Sequence, residues 1–367
     1  MTGVLMTLLL TGACCALCGV FLVLRNQSMM ADAISHTVLL GIVLAFLLVR
    51  DVASPWLMIG ATLAGLLTVY FVERLSSRHV LRSDDAIGFV FPVFFSAAVL
   101  LLSRFARNTH LCMDTVMMGE VIFSALNTIS VLGMSIPRIA LEMGILLLVN
   151  LLFITLFYKE VKVSAFDGEF SVIIGLPVTL LFYCLMGLTS LTAVKAFDAV
   201  GTVLVLSFFI APAASACMIT RDLRMTLLLS VVIASVNVLA GFFLGMRWNV
   251  SLSGMCAVTG MVTFLLILFL HRGGVLGSLL QRRRNRALLH MEMFIVHVGN
   301  HMKEQRFTQE AGVSSIRHHL KWSARQIHQV SRHLLQKNLI RREKGHYALT
   351  AEGLRQYDQI RHTYCLK

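Results

Sequence analysis

Nine apolar runs of about 20 residues recur between residues 4 and 270, and runs of that length leave a chain few ways to fold. A helix of about 20 residues spans the hydrocarbon core of a bilayer. Inside it, only structures that pair their own backbone polar groups survive, so the runs predict helices. They occupy residues 4–24, 28–49, 56–72, 86–103, 139–158, 176–194, 199–219, 225–246 and 249–270. Short runs are ambiguous, and eight or ten spans also fit the pattern. The chain is 57% hydrophobic and 14% charged, against about 25% charged in soluble domains. That excludes a soluble globular enzyme. The first run has no basic segment before it and no small-residue cleavage site after it, so it reads as a retained helix and not a signal peptide.

Charge divides the chain in two. Residues 1–271 carry 14 Lys/Arg and 13 Asp/Glu, whereas residues 272–367 carry 18 and 6. The expected organisation is a nearly neutral membrane body over 1–271, a basic juxtamembrane linker over 272–286 and a small soluble domain over 287–367. The cluster QRRRNR at 281–286 suits the anionic surface of a cytoplasmic leaflet. With nine spans and the tail in the cytoplasm, the N-terminus lies outside. Inner loops then hold eight Lys/Arg and outer loops six, so the basic tail decides the orientation.

Within the membrane body the acidic and imidazole side chains stand out. Asp32 and His36 are i and i+4 on one face of the second span. Ionisable groups at that depth are costly in lipid and face a pathway or a partner. One carboxylate with one imidazole is also a common ligand pair for Mn, Fe or Zn. If the helix began at Thr37 instead, both would sit in a wet loop. Glu120 follows a glycine in an apolar setting and would complete a metal site or else sit as a rim carboxylate. Asp198 lies three residues after Lys195 between two apolar runs; it reads either as a further ligand or as half of an ion pair on one helix face. Asp84 and Asp85 read as a helix start. Cys15 and Cys18 have CxxC spacing, but inside a lipid helix packing is the better reading. There is no GxxxxGK[ST], GxSxG or HExxH motif. The chain is therefore not an enzyme by those routes, and any ATP hydrolysis belongs to a partner.

Lys195-Ala196-Phe197-Asp198-Ala199-Val200-Gly201-Thr202-Val203-Leu204-Val205, continuing to Ile210-Ala211-Pro212-Ala213-Ala214-Ser215-Ala216, resembles the signature of ABC-3 metal permeases. Three stretches match in order: MADAISHTVLLGIVLA at 30–45, RFARNTHLCMDTVMMGE at 104–120 and YKEVKVSAFDGEFSVIIGLP at 158–177. The resemblance covers about residues 1–271. It implies two permease chains (identical or sister) around a central pathway, an extracytoplasmic metal-binding protein that delivers the ion, and a cytosolic ABC ATPase. It places the chain in the bacterial cytoplasmic membrane. Asp32, His36 and Glu120 match positions associated with a metal site. Ala165, Phe166, Asp167, Gly175, Leu176 and Pro177 fall in the segment that docks into the ATPase. The transported ion would be Mn, Fe or Zn, with no permanently bound cofactor; Asp198 and the 104–120 stretch look more like the manganese and iron branch. Leu111-Cys112-Met113 replaces a more acidic stretch of the family, giving a softer rim.

The tail predicts helices at 288–303 and 314–322, a third beginning at Ser323, and then strand, Lys-Gly turn, strand. This order resembles a winged helix-turn-helix, and LIRREKGHYALTAEG looks like the wing of metal-responsive repressors. Arg325, Gln329 and Arg332, with His328, would form the groove-facing side of a recognition helix, and Arg341, Arg342 and Lys344 would touch phosphates. DNA contact is the less favoured use of such a domain on a membrane-tethered chain; binding a protein or regulating transport is favoured. Nine of the 13 histidines lie in the tail, including His297, His301, His318 and His319, without a ligand set legible from sequence. The expected fold is thus an all-α polytopic membrane protein with a small C-terminal winged helix-turn-helix domain. The expected function is a metal permease. The competing readings are a membrane-anchored metal-responsive transcription regulator and a secondary carrier that needs no ATPase.

Overall fold

A computed structural model describes residues 1–51, 54–77, 81–105, 127–131, 134–166, 168–271, 273–302, 316, 319–343 and 346–364. The chain divides into two compact units, Met1–Gly274 and Val275–Lys367. The first holds α1 (Thr2–Leu24), α2 (Met30–Val49), α3 (Trp56–Ser77), α4 (Ser83–Phe105), strands β1 (Thr128–Val131) and β2 (Met134–Pro137), α5 (Arg138–Leu156), the short α6 (Tyr158–Phe166) and α7 (Gly168–Ile173), then α8 (Val178–Val200), α9 (Thr202–Ile219), α10 (Leu223–Trp248) and α11 (Leu252–Leu270). Among the described residues nine helices are long and apolar enough to cross a membrane, matching the nine runs.

Helix α1 is the hub. It is buried along nearly its whole length and packs against α5, α8, α9 and α10. Lipid tails are as apolar as leucine, so burial of apolar area alone does not drive these contacts; close approach through small residues and a few polar bonds does. A Cβ at Gly19 of α1 would overlap the Phe209 carbonyl of α9, and Gly41 of α2 and Gly60 of α3 lie backbone to backbone. Asn150 of α5 donates to Thr192 Oγ1 of α8 at 2.9 Å and to Cys14 Sγ of α1 at 3.2 Å. That polar knot joins three helices in the apolar centre. A second joins α10 and α11, where Thr263 Oγ1 donates to Asn237 Oδ1 at 2.7 Å. Cys14, Cys15 and Cys18 are all buried free thiols.

Two details differ from the sequence reading. β1 and β2 form an antiparallel hairpin, with Thr128 opposite Pro137 and Val131 opposite Met134. Strands of four residues carry too short an alternation to be read from sequence. The run ending at 194 extends to Val200 and leaves Gly201 as the single residue between α8 and α9. Its φ of 83° and ψ of 161° belong to a region essentially restricted to glycine.

The second unit begins with α12 (Val275–His301), so the basic cluster at 281–286 lies within a helix. It continues through α13 (Ala324–Gln336), β3 (Ile340–Glu343), β4 (His346–Leu349) and α14 (Ala351–Thr363). β3 and β4 pair antiparallel, Ile340 opposite Leu349. Ser323 and Gln326 form a reciprocal capping box at the start of α13. Tyr357 of α14 donates to Asn300 Oδ1 of α12 at 2.6 Å. Phe294, Ile295 and Val298 share one apolar core with Ile327, Leu334, Ile340 and Tyr347. Of the expected helix at 314–322, residues 316, 319 and 320 are helical and 321–322 are not, while 314, 315, 317 and 318 lie outside the described residues.

The Gly41–Gly60 approach makes a prediction. Overpacking at such a contact costs about 1–3 kcal/mol. Gly41→Leu should lower the thermal unfolding midpoint of the full chain in detergent, while Gly88→Ala, where an added Cβ meets nothing within 4 Å, should leave it level or raise it. Equal midpoints for both variants and the parent would contradict the α2–α3 packing.

Candidate metal centre

Helix α2 starts at Met30, with Met29 as its N-cap. This excludes a start at Thr37. Asp32 therefore sits in the first turn, where the helix dipole favours a carboxylate, and His36 lies about 9 Å from the helix start at 1.5 Å per residue, shallower than a start at Ser28 would place it. His36 Nε2 is 3.5 Å from Asp32 Oδ1, and the two side chains are 35% and 39% exposed. The pair is thus open on one side. The imidazole is flanked by two rings of α4, with centroid separations of 5.5 Å to Phe91 and 5.7 Å to Phe95. The two rings pack against the imidazole from α4. One carboxylate oxygen and one imidazole nitrogen offer two ligands, suited to Mn(II), Fe(II) or Zn(II). A complete shell needs further donors. Glu120, the third expected ligand, lies outside the described residues, as does the Leu111-Cys112-Met113 stretch.

Asp198 is exposed in the last turn of α8, and among the described residues no hydrogen bond or ion pair joins it to Asp32 or His36. Nor does Lys195 pair with it along the helix face. The ammonium instead reaches Glu142 Oε2 on α5, while Arg138 Nε donates to Glu142 Oε1 at 3.0 Å. Both oxygens of one carboxylate are thereby used, and Asp198 stands within the electrostatic reach of all three groups. From sequence, Glu142 reads only as a charge tolerated near a helix end. The i, i+4 spacing of Arg138 and Glu142 is the one local signal; the bridge to Lys195, 53 residues away, has none.

The loop before α8 is built differently. α6 and α7 are short, and Gly175 turns the chain at φ +79° ahead of Leu176 and Pro177. Phe166, Phe170, Val172 and Ile173 are 57%, 50%, 65% and 81% exposed. These four apolar side chains are exposed on the segment between α5 and α8, and exposed apolar surface outside the hydrocarbon core marks a contact site. Arg25 Nη2, at the end of α1, donates to Ser164 Oγ at 2.6 Å and fixes α6 to the helix bundle. Ala165 belongs to α6, and Asp167 lies outside the described residues.

On the second unit, Arg325, His328, Gln329 and Arg332 are exposed on one face of α13, while Ile327, Val330 and Leu334 are buried on the other. Arg341 and Arg342 are exposed on β3, Arg341 bonded to Glu343 at 2.9 Å. Lys344 lies outside the described residues.

Breaking one partner of a poorly solvated ion pair leaves the other charge stranded. Glu142→Gln and Lys195→Met should each destabilise the chain. The double variant should lose less than the two singles together, with a coupling of about 1–2 kcal/mol in detergent unfolding midpoints. Strict additivity would contradict an energetic link between Glu142 and Lys195.

The family model described as the ABC 3 transport family matches residues 1–271. The chain is 37% identical over 345 residues to the zinc transport system membrane protein TroD of Treponema pallidum, covering 93% of each chain. It is 42% identical to the manganese transport system membrane protein MntD of Bacillus subtilis, over 74% of this chain and 93% of that one. The chelated iron transport system membrane protein YfeD of Yersinia pestis is 31% identical over 72% of this chain and 82% of its own length. A solved structure, PsaBC from Streptococcus pneumoniae in complex with Fab, superposes with a TM-score of 0.62 at 26% identity, covering 77% of this chain and 94% of that chain.

Proposed function

Because the chain belongs to the ABC 3 transport family, we propose that it is the membrane-spanning permease subunit of an ABC importer that brings divalent transition-metal ions into the cytoplasm, manganese or iron being favoured over zinc. The observation that carries this reading is the Asp32/His36 pair, open on one side within one of the nine candidate spans among the described residues. Oxygen and imidazole donors suit these ions without selecting among them, and relatives are named for manganese, zinc and iron. A pair alone holds an ion weakly, which suits a pathway: the ion must leave as readily as it enters. Glu120 or a second permease chain, identical or sister, would complete the shell.

Without a nucleotide-binding motif of its own, the chain takes its energy from a cytosolic ABC ATPase that docks on the Ala165–Phe166, α7 and Gly175-Leu176-Pro177 segment. The exposed Phe166, Phe170, Val172 and Ile173 support that assignment, since an apolar surface on a loop outside the bilayer has no lipid to cover it. An extracytoplasmic binding protein delivers the ion at the other face. The chain resides in a bacterial cytoplasmic membrane with its second unit in the cytoplasm. That unit is a winged helix whose helix α13 and β3–β4 hairpin correspond to the recognition helix and wing. Its role is regulation of the transporter through protein contact, and DNA is the less favoured partner.

Radiotracer uptake of Mn(II), Fe(II) and Zn(II) tests the reading in cells that also hold the ATPase and binding protein. Asp32→Ala and His36→Ala should each reduce uptake of one metal by at least about tenfold at matched expression. Unchanged uptake in both variants would overturn the pathway site, and uptake that survives loss of the ATPase would favour a secondary carrier. Ile173→Glu, at an 81% exposed position, should leave the chain folded yet abolish co-purification with the ATPase. Undiminished co-purification would place the docking surface elsewhere.

A further inference from the structure

His297 and His301 are i and i+4 on α12, so their imidazoles leave the helix on one face. His319, from the short helical stretch before Lys321, closes on that face. Ring centroids are 4.8 Å apart for His297 and His301, 5.4 Å for His297 and His319, and 5.9 Å for His301 and His319. One ring nitrogen from each histidine can be chosen so that all three lie within 4.8 Å of one another. We propose that this triad is a binding site for a divalent transition-metal ion, of the imidazole-preferring class to which Zn(II) belongs, in the second unit and distinct from the Asp32/His36 pair.

Three imidazoles are a complete protein ligand set for zinc with the fourth position left to water. Bonds of about 2.0–2.1 Å in tetrahedral geometry bring the nitrogens to about 3.4 Å from one another. The side chains therefore need to close by little more than 1 Å, a change within reach of small χ rotations. Backbone movement is not needed, because both ligand-bearing segments are already anchored. Phe294, Ile295 and Val298 alternate with the histidines along α12, Ile316 and Trp322 flank His319, and all five are buried in the same apolar core. The first shell thus stands on a packed support, as a precise site requires. His319 is exposed whereas His297 and His301 are half-buried, so an ion enters from the His319 side. Imidazole ligands without a carboxylate leave the bound ion its full double charge, which favours a borderline ion such as Zn(II) over hard Mg(II) or Ca(II).

The test uses the full chain, tag-free and in detergent, stripped with a chelator and carrying Asp32→Ala and His36→Ala so that the pathway pair contributes nothing. Equilibrium dialysis against Zn(II) should show one equivalent bound tightly. Adding His319→Ala at the exposed position should weaken that binding at least tenfold while far-ultraviolet circular dichroism stays unchanged. His319→Cys, which restores a zinc ligand, should recover it. Co(II) in place of Zn(II) should give the visible absorption of a tetrahedral site in the parent and lose it in His319→Ala. The same Zn(II) binding with and without His319, or no tight equivalent in the parent, would overturn the proposal. If His319→Ala also lost helicity, His319→Cys would decide: folded and zinc-binding supports the site, folded and zinc-free removes it. Because the pathway pair is absent throughout, none of these results depends on the transport reading.

Discussion

In a bilayer the backbone finds no water to bond with, and the architecture of the first unit follows from that constraint. Each spanning segment closes its own hydrogen bonds as a helix, and helices then meet by fitting together. Glycine becomes the element of contact, as where α1 passes the Phe209 carbonyl at Gly19 and where Gly41 faces Gly60. The few polar side chains inside are spent on specific joints. Asn150 ties α1, α5 and α8, and Asn237 ties α10 and α11. Apolar surface supplies the environment, while these contacts fix which helix lies beside which.

That division explains what the sequence discloses. Hydropathy needs only one segment at a time, so all nine spans are legible, and the i, i+4 spacing alone puts Asp32 and His36 on one face. Capping chemistry is equally local: Ser323 announces the start of α13 and receives its reciprocal bond from Gln326. Long-range pairing is not legible. Nothing in the residues around Lys195 points to Glu142 in place of the nearer Asp198, because the choice rests on how α5 and α8 lie together. The histidine triad is hidden for the same reason; His297 and His301 are neighbours by spacing, but His319 joins them only through the packing around Phe294 and Trp322.

The two units solve different physical problems with one chain. The membrane body shows leucine and phenylalanine to its surroundings and keeps its polarity inside. The second unit does the reverse, with arginines on the outer faces of α13 and β3 and a small apolar core behind them. Between the spans, α6 and α7 break the pattern by exposing apolar side chains in a loop.

The formal charges gathered at the adjoining ends of α5 and α8 cancel, with Arg138 and Lys195 set against the acids Glu142 and Asp198. A lone charge would project a potential falling only as the inverse of distance; a neutral group of four has no such far field. An ion some distance away would be neither drawn nor repelled and would respond to the individual groups only on close approach. Converting either acid to its amide would leave a net cation at that helix end. The same residues that hold two helices together would then raise an electrostatic barrier against any divalent ion passing near them.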